Sequence, residues 1–278
     1  MALVRNVSDT ARWVAVYRAR ESERRDALFH DRWAAELAGE RGQAIARAAR
    51  RQMGNGWAIV ARTQLMDQLI LSSIAEGCDC VLNLAAGFDT RPYRLSLPAK
   101  LVWVEADLPE LIEEKTHRLA RERPHCELQR VAVNLVDGAA RRAFLERVLS
   151  STRRVLVVTE GLVPYLEDDQ VVELARALRA PSVCGWILDF TSPAIRAAMN
   201  RRLRRVLANA PFKFAPADGV AFFERQGWRV RDVRSLLRAA IELRRAPWYL
   251  YGFGLFPEPN PRRLDAAYWS GVLRLEPT

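Results

Sequence analysis

Residues 80–89 read Cys80-Val81-Leu82-Asn83-Leu84-Ala85-Ala86-Gly87-Phe88-Asp89. A short, mostly apolar run enters a turn of small residues, with an acid two places after the glycine. The same texture recurs down the chain. Leu101-Val102-Trp103-Val104 leads into Glu105-Ala106-Asp107, and Leu128 to Val133 leads into Asn134. Val155-Leu156-Val157-Val158 leads into Thr159-Glu160-Gly161, and Val183 to Leu188 leads into Asp189. Apolar runs this short, without alternation, read as strands buried on both faces. Each is followed by a helix-like segment. Pro109 stands where a helix takes proline at its first position, with Leu111, Lys115 and Leu119 at i, i+4 and i+8 behind it. Glu167-Asp168-Asp169 places acids in a first turn, favoured by the helix dipole. Strands alternating with helices give an α/β fold with a doubly wound, mostly parallel sheet. Trp228 to Val233 reads as a later strand, and the region from Trp248 to Leu275 has room for another.

Upstream of Gly77 the pattern changes. Residues 1–76 carry helical spacing and no strand pattern: Thr10, Trp13/Val14 and Tyr17 recur on one face, with Arg12, Arg18 and Arg20 on others. Further helices are expected from Asp31 to Leu37, stopping near Gly39, and from Gln43 to Gln52, stopping at Gly54-Asn55-Gly56. A fourth has Ile59, Ala61/Arg62, Leu65/Met66 and Leu69/Ile70 on an apolar stripe. The expected organisation is a helical N-terminal cap, 1–76, on a core, 77–278, as one integrated domain.

Half of the 278 residues are hydrophobic and 27% are charged, a globular composition that excludes a disordered or collagen-like chain. No segment reaches the ~18 apolar residues of a membrane span. Met1 to Arg25 has no apolar stretch of the signal-peptide kind. Cys78, Cys80, Cys126 and Cys184 show no Cys-x-x-Cys spacing and no nearby histidine, which argues against a metal site and for a reduced, cytoplasmic setting. The formal charge of +10 is spread over arginine doublets such as Arg24-Arg25, Arg50-Arg51, Arg153-Arg154 and Arg204-Arg205. That spacing suits solvated helix faces better than a nucleic-acid stripe.

In open α/β sheets, ligands bind beyond the carboxyl ends of the strands. Those ends carry Gly87 and Asp89, then Asp107, Asn134 and Glu160. An acid ending the second strand is the usual partner of a ribose diol. The first turn lacks both the Gly-x-Gly-x-x-Gly of dinucleotide binders and the Gly-Lys-Ser/Thr of a phosphate loop. A small turn beside an acid suits a ligand with adenosine but no phosphate to cradle, which points to S-adenosylmethionine.

The stretches TARWVAVYRARE (10–21), Asp26 to Leu37, Ala61-Arg62-Thr63 to Asp67, LNLAAGFDTRPYRL (82–95), VEADLPELIEEK (104–115) and TEGLVPYL (159–166) together resemble the leucine carboxyl methyltransferase family. That family belongs to the class I, Rossmann-like, S-adenosylmethionine-dependent methyltransferases. The resemblance is in particular to its bacterial small-molecule O-methyltransferase branch. The resemblance runs from about residue 10 to 180 in the family's order. The aromatic segment Trp248 to Phe256 lies outside it. The resemblance implies that Arg62 meets the cofactor carboxylate, Gly87 is the close-approach glycine, and Asp107 holds the ribose. Asn134 and Leu135 then flank the adenine, where the family more often has Asp in place of Asn134. Asp89 belongs to the same cofactor-binding set. Glu160 faces the methionine end, and Tyr165 lines the transfer site; these two are the catalytic candidates. Plain structural roles stand beside each of these. Asp89 and Arg91 can brace a helix, Asp107 can cap the helix at Pro109, and Asn134 and Glu160 can serve turns. Arg62 can be one more surface arginine, and Tyr165 can be core.

The implied acceptor is an anionic small molecule, with a carboxylate preferred to a hydroxyl. A phenol or alcohol usually needs a general base, most often histidine. None of His30, His117 and His125 falls in the stretches at 82–95, 104–107, 134–135 or 159–166. A basic cap with Arg18, Arg20, Arg24 and Arg25 is expected to suit such an acceptor. The rival readings are a methyltransferase acting on a protein C-terminus or a tRNA base, a nucleotide-binding oxidoreductase, and a binding protein without activity.

Overall fold

The computed structural model describes Val4, residues 8–150 and residues 154–278. The rest of 1–7, the side chain of Arg51, and Arg153, on which parts of the cap and doublet readings fall, lie outside the described residues. The elements in chain order begin with helices α1 (Ser8–Ser22), α2 (Ala34–Met53) and α3 (Trp57–Ala75). There follow β1 (Cys80–Leu84), the one-turn α4 (Arg91–Arg94), β2 (Val102–Asp107), α5 (Pro109–Arg118), β3 (Glu127–Ala132), α6 (Gly138–Ser150) and β4 (Val155–Thr159). The chain continues through α7 (Asp168–Ala177), β5 (Val183–Thr191), α8 (Pro193–Arg202), α9 (Val220–Arg225), β6 (Trp228–Ser235), α10 (Leu236–Glu242) and β7 (Ser270–Pro277). Among the described residues no helix is long and apolar enough to cross a membrane.

The seven strands form one sheet in the order β3-β2-β1-β4-β5-β7-β6. β1 to β5 pair in parallel, and β7 enters antiparallel between β5 and β6. The chain winds outward from β1 through β2 to β3, then restarts on the other side of β1 with β4. The strand-order reversal therefore lies between β1 and β4, where a crevice opens beyond the strand ends. Alternation explains the unbroken apolar runs. Leu82, Leu84, Val155 and Val157 pack on one face with Phe144 and Leu145 of α6 and Leu174 of α7. Val81, Leu156 and Val158 pack on the other with Leu65, Met66 and Leu69 of α3 and Ala239 and Ala240 of α10. α3 thus belongs to a layer on the sheet, and α1 and α2 pack with each other over Val16, Tyr17, Ala38 and Ile45.

Several boundaries differ from the expectation for identifiable reasons. The helix expected from Asp31 begins at Ala34, because Asp31 is bound by Arg18 at 2.9 Å. Gly39, at φ 57° and ψ −173°, does break the helix there, but the chain turns back into helix as far as Met53. β5 does not stop at Leu188. It runs to Thr191 because β7 pairs with it as far as Thr191↔Ser270, so Asp189 lies inside the strand. Lys115, at a position of the apolar stripe, is fully buried in an ion pair with Glu105 at 2.8 Å. The aromatic tail is not core: the 3-10 segment Trp248–Leu255 has no buried residue.

The joint between α1 and α3 is tight at Gly56. Its φ is 73°, and a Cβ there would sit 2.0 Å from the buried ring of Tyr17. Left-handed backbone costs a non-glycine residue ~1–2 kcal/mol, and overpacking adds ~1–3 kcal/mol. Gly56→Ala should therefore lower stability by about 2–5 kcal/mol in urea unfolding. Gly252→Ala, where a Cβ meets nothing within 4 Å, should stay within about 0.5 kcal/mol. Equal midpoints for the two variants would mean that Tyr17 does not lie over Gly56.

Candidate active site

A cavity of about 1440 Å³ opens beyond the strand ends at the β1–β4 reversal. Arg62, Gly87, Asp89, Asp107, Asn134, Leu135, Glu160 and Tyr165 all line it. The residues come from α3, from the segments after β1, β3 and β4, and from the last residue of β2. The parallel sheet brings those ends to one rim.

The turn after β1 is tight. Ala85 sits at φ 56° and Gly87 at φ 47°. A Cβ on Gly87 would lie 2.9 Å from Cβ of Ala11, so the close approach that this glycine permits in the structure is that of α1. The Gly87 N–H donates to Asp107 Oδ2 at 2.6 Å, and the Leu108 N–H donates to Asp107 Oδ1 at 2.7 Å. The N-cap of α5 is Leu108 and not Asp107, which accepts from the N-cap amide itself and not from the first turn of the helix. Burial pushes the Asp107 carboxyl above the usual range, although the two backbone amides pull the other way. Asp89 lines the cavity, but its carboxylate is spent on its neighbours. Oδ1 accepts from the Arg91 backbone, and Oδ2 accepts from Asn83 and the Arg91 side chain, all within 2.9 Å. Asn134 is exposed, and its Oδ1 accepts from the Val136 N–H at 3.1 Å.

Glu160 is held by two arginines. Arg62 Nε donates to Oε1 at 3.0 Å, and the Arg91 guanidinium lies 2.7 Å from Oε2. Burial would raise its pKa, but Arg91 and Arg62 hold it below the ordinary carboxylate value. Arg62 NH1 donates to Asp189 Oδ2 at 2.9 Å, and Asp189 Oδ1 accepts from the Gly161 N–H at 2.6 Å. Two of the five guanidinium N–H groups of Arg62 are thereby committed. Its second terminal nitrogen remains for a ligand carboxylate. On the other side Arg91 and Arg94 share Asp67. Sequence reasoning missed Asp189 and the bridging role of Arg91. The signal for Asp189 was present as an acid at the end of the fifth apolar run.

Charge decides what this wall favours. The connected network holds four carboxylates (Asp67, Asp89, Glu160, Asp189) and three guanidiniums (Arg62, Arg91, Arg94), and Asp107 adds a fifth carboxylate. Lys115, Glu105 and Arg130 behind it return one positive charge. The wall stays net negative in a chain of formal charge +10. That favours S-adenosylmethionine, whose sulfonium and ammonium outweigh its carboxylate, over a dinucleotide with its pyrophosphate.

Burial pushes the Tyr165 phenol up to about 12 against the pull of Arg62, and its hydroxyl is hydrogen-bonded with Thr10. It is a proton-bearing group at neutral pH. None of the three histidines lines the cavity. The expected basic cap is corrected by the structure. Arg18 reaches the cavity but is paired with Asp31, Arg24 turns to Asp26, and Arg20 stacks over Tyr17. The charges of Arg18 and Arg24 are answered by carboxylates of the cap itself.

Two consequences can be measured. A protonated Asp107 loses acceptor capacity toward a diol, so affinity for S-adenosylhomocysteine should fall on acidification, starting above the pH at which an ordinary aspartate titrates. Asp107→Asn should bind about ten- to a hundredfold more weakly, with this pH dependence gone. A wild-type profile as flat as that of the variant would remove Asp107 from the ligand. Arg62→Ala leaves Asp189 buried without a guanidinium and Glu160 with Arg91 as its single cation. Stability should drop by about 3–5 kcal/mol in denaturant titration, and an unchanged midpoint would refute the ion-pair chain.

Comparison with known proteins agrees with this geometry. The sequence model of the leucine carboxyl methyltransferase family matches residues 11–179. A Frankia alni protein, provisionally named an S-adenosyl-L-methionine-dependent methyltransferase, is 31% identical over 250 residues, 84% of this chain and 87% of that one. A Streptomyces coelicolor protein with the same provisional name is 34% identical over 196 residues, 66% of this chain and 68% of that one. The fold is shared with a DUF574-family protein of Streptomyces avermitilis, at TM-score 0.58, 15% identity and 97% coverage of both chains. It is also shared with magnesium protoporphyrin IX methyltransferase of Synechocystis in its complex with SAH, at TM-score 0.50, 11% identity, and 87% and 97% coverage. On the family match and the Frankia relative, the chain belongs to the leucine carboxyl methyltransferase family and is an S-adenosylmethionine-dependent methyltransferase.

Proposed function

We propose that the chain methylates a carboxylate oxygen of a small molecule, as an O-methyltransferase that forms a methyl ester. The observation that carries this reading is the lack of a poised base among the described residues of the cavity wall. No histidine lines it, and Tyr165 keeps its proton. Glu160 and Asp189 are locked in ion pairs with Arg62, Asp89 is paired with Arg91, Glu258 with Arg238, and Lys213 with Glu167. Both oxygens of Asp107 accept from backbone amides. An alcohol or phenol would need one of these groups to take its proton. A carboxylate, with an ordinary pKa of ~4, arrives ionised at neutral pH.

When bound, S-adenosylmethionine supplies a methyl group already activated on a sulfonium. The work left to the chain is to bind, align and exclude water. In this reading Asp107 holds the ribose, Arg62 meets the methionine carboxylate, Asn134 and Leu135 flank the adenine, and Glu160 faces the ammonium end. Tyr165 donates a hydrogen bond toward the acceptor. α1, which brings Thr10 to Tyr165 and Ala11 against Gly87, ties the cap to both halves of the site.

The test is to incubate the protein with methyl-labelled S-adenosylmethionine and a panel of carboxylic acids and phenols. The expected product is a methyl ester that loses its label in mild alkali, with kcat/KM level from pH 6 to 8. A base-stable methyl ether, formed at a rate rising through the pKa of a phenol, would contradict the proposal.

A further inference from the structure

The cavity is larger than the cofactor needs, and its lining is mostly apolar. Pockets of ~300–1,000 Å³ hold drug-sized molecules, against about 1440 Å³ here. The segment between α10 and β7 contributes to the wall as a strap pinned at two points. Near its start, Arg245 is buried in an ion pair with Glu21 of α1 at 2.8 Å. Near its middle, Arg238 donates to the carbonyls of Gly254 and Phe256. On this pinned stretch Tyr249, Phe253 and Phe256 line the cavity yet stay 60%, 59% and 65% exposed. Rings clustered in this way beside a binding site mark an apolar contact surface.

α8 lines the same cavity. Ile195, Ala198, Met199 and Arg202 all line it, at i, i+3, i+4 and i+7, so one face of the helix forms the wall. Met199 packs into the same cluster as Tyr165 and Phe212. A helical side chain leans over the turn before it, so Arg202 covers the turn of Ala198 and Met199. The other cavity-lining cations are answered: Arg18 by Asp31, Arg62 by Glu160 and Asp189, Lys213 by Glu167, and Arg238 by Glu258. Arg202 has no carboxylate within ion-pair range among the described residues. The simple alternative is a cation at a helix C-terminus, favoured by the dipole alone. That alternative does not account for its place on the stripe of α8 that lines the same cavity as three wetted aromatic rings.

We infer that the acceptor is a large apolar carboxylic acid, its aryl or polycyclic body held between α8 and the rings of Tyr249, Phe253 and Phe256, and its carboxylate selected by Arg202. This rests on the carboxylate reading above and adds the size class and the residue that recognises the charge. It also supplies a reason for release. Transfer converts a carboxylate oxygen into a neutral ester, so the charge that Arg202 recognises is gone in the product.

The experiment uses the full chain saturated with S-adenosylhomocysteine and measures equilibrium binding of three probes: anthracene-2-carboxylate, its carboxamide, and benzoate. The expected order is anthracene-2-carboxylate tightest, at least tenfold ahead of each of the other two. Arg202→Gln should abolish the acid-over-amide preference while leaving S-adenosylhomocysteine affinity unchanged. The double variant Tyr249→Ala/Phe253→Ala should weaken anthracene-2-carboxylate about tenfold and benzoate little. Size-independent binding, no binding of anthracene-2-carboxylate, or an acid-to-amide ratio unaltered in Arg202→Gln would overturn the inference. Methylation of the probe is scored separately. Binding with the expected ratios but no ester formed would fail the carboxylate reaction and leave the binding site standing.

Discussion

Glu160 lies between two guanidiniums that reach it from opposite directions: Arg62 from α3 and Arg91 from the turn after β1. Each guanidinium is anchored in turn, Arg62 by Asp189 of β5 and Arg91 by Asp67 and Asp89. The chain of charges therefore crosses the strand-order reversal and ties α3, β1, β4 and β5 together at the mouth of the cavity. Desolvated charges persist only when each is answered. The site is rigid because removing one member strands the next. It is also net negative where the rest of the molecule is positive, which matches it to a cationic methyl donor.

The cap is fixed by the same kind of bond, and not by the apolar seam alone. Arg18 of α1 binds Asp31 and the carbonyl of Phe88, and Thr90 also donates to Asp31. Gly87 and Gly56 let α1 come close on two sides, to the turn after β1 and to the start of α3. Arg245 extends this attachment to the aromatic strap through Glu21. Cap, turn and strap are thus joined through α1.

The parallel sheet was legible because its strands are buried on both faces and show as unbroken apolar runs. The rim was legible because polar residues punctuate those runs at one end. What the sequence hid was long-range pairing. Asp189 reads as the residue after a strand, and only the pairing with β7 makes it part of one. Its partner Arg62 lies 127 positions away. The cap arginines show why charge counting misleads: their number suggested an anion site, yet Arg18 and Arg24 are answered by carboxylates of the cap itself. Hydrophobicity alone likewise does not place the run Trp248 to Phe256, because it does not tell a core segment from an exposed one, and Trp248 is 85% exposed.

The central claim is that a net-negative rim of paired carboxylates selects an adenosyl ligand that carries positive charge and no phosphate. Calorimetric titration of the full chain with S-adenosylmethionine and with NAD, side by side at low salt, tests it most directly. The account predicts one S-adenosylmethionine bound per chain and no measurable heat from NAD. Binding of NAD with equal or greater affinity would contradict it.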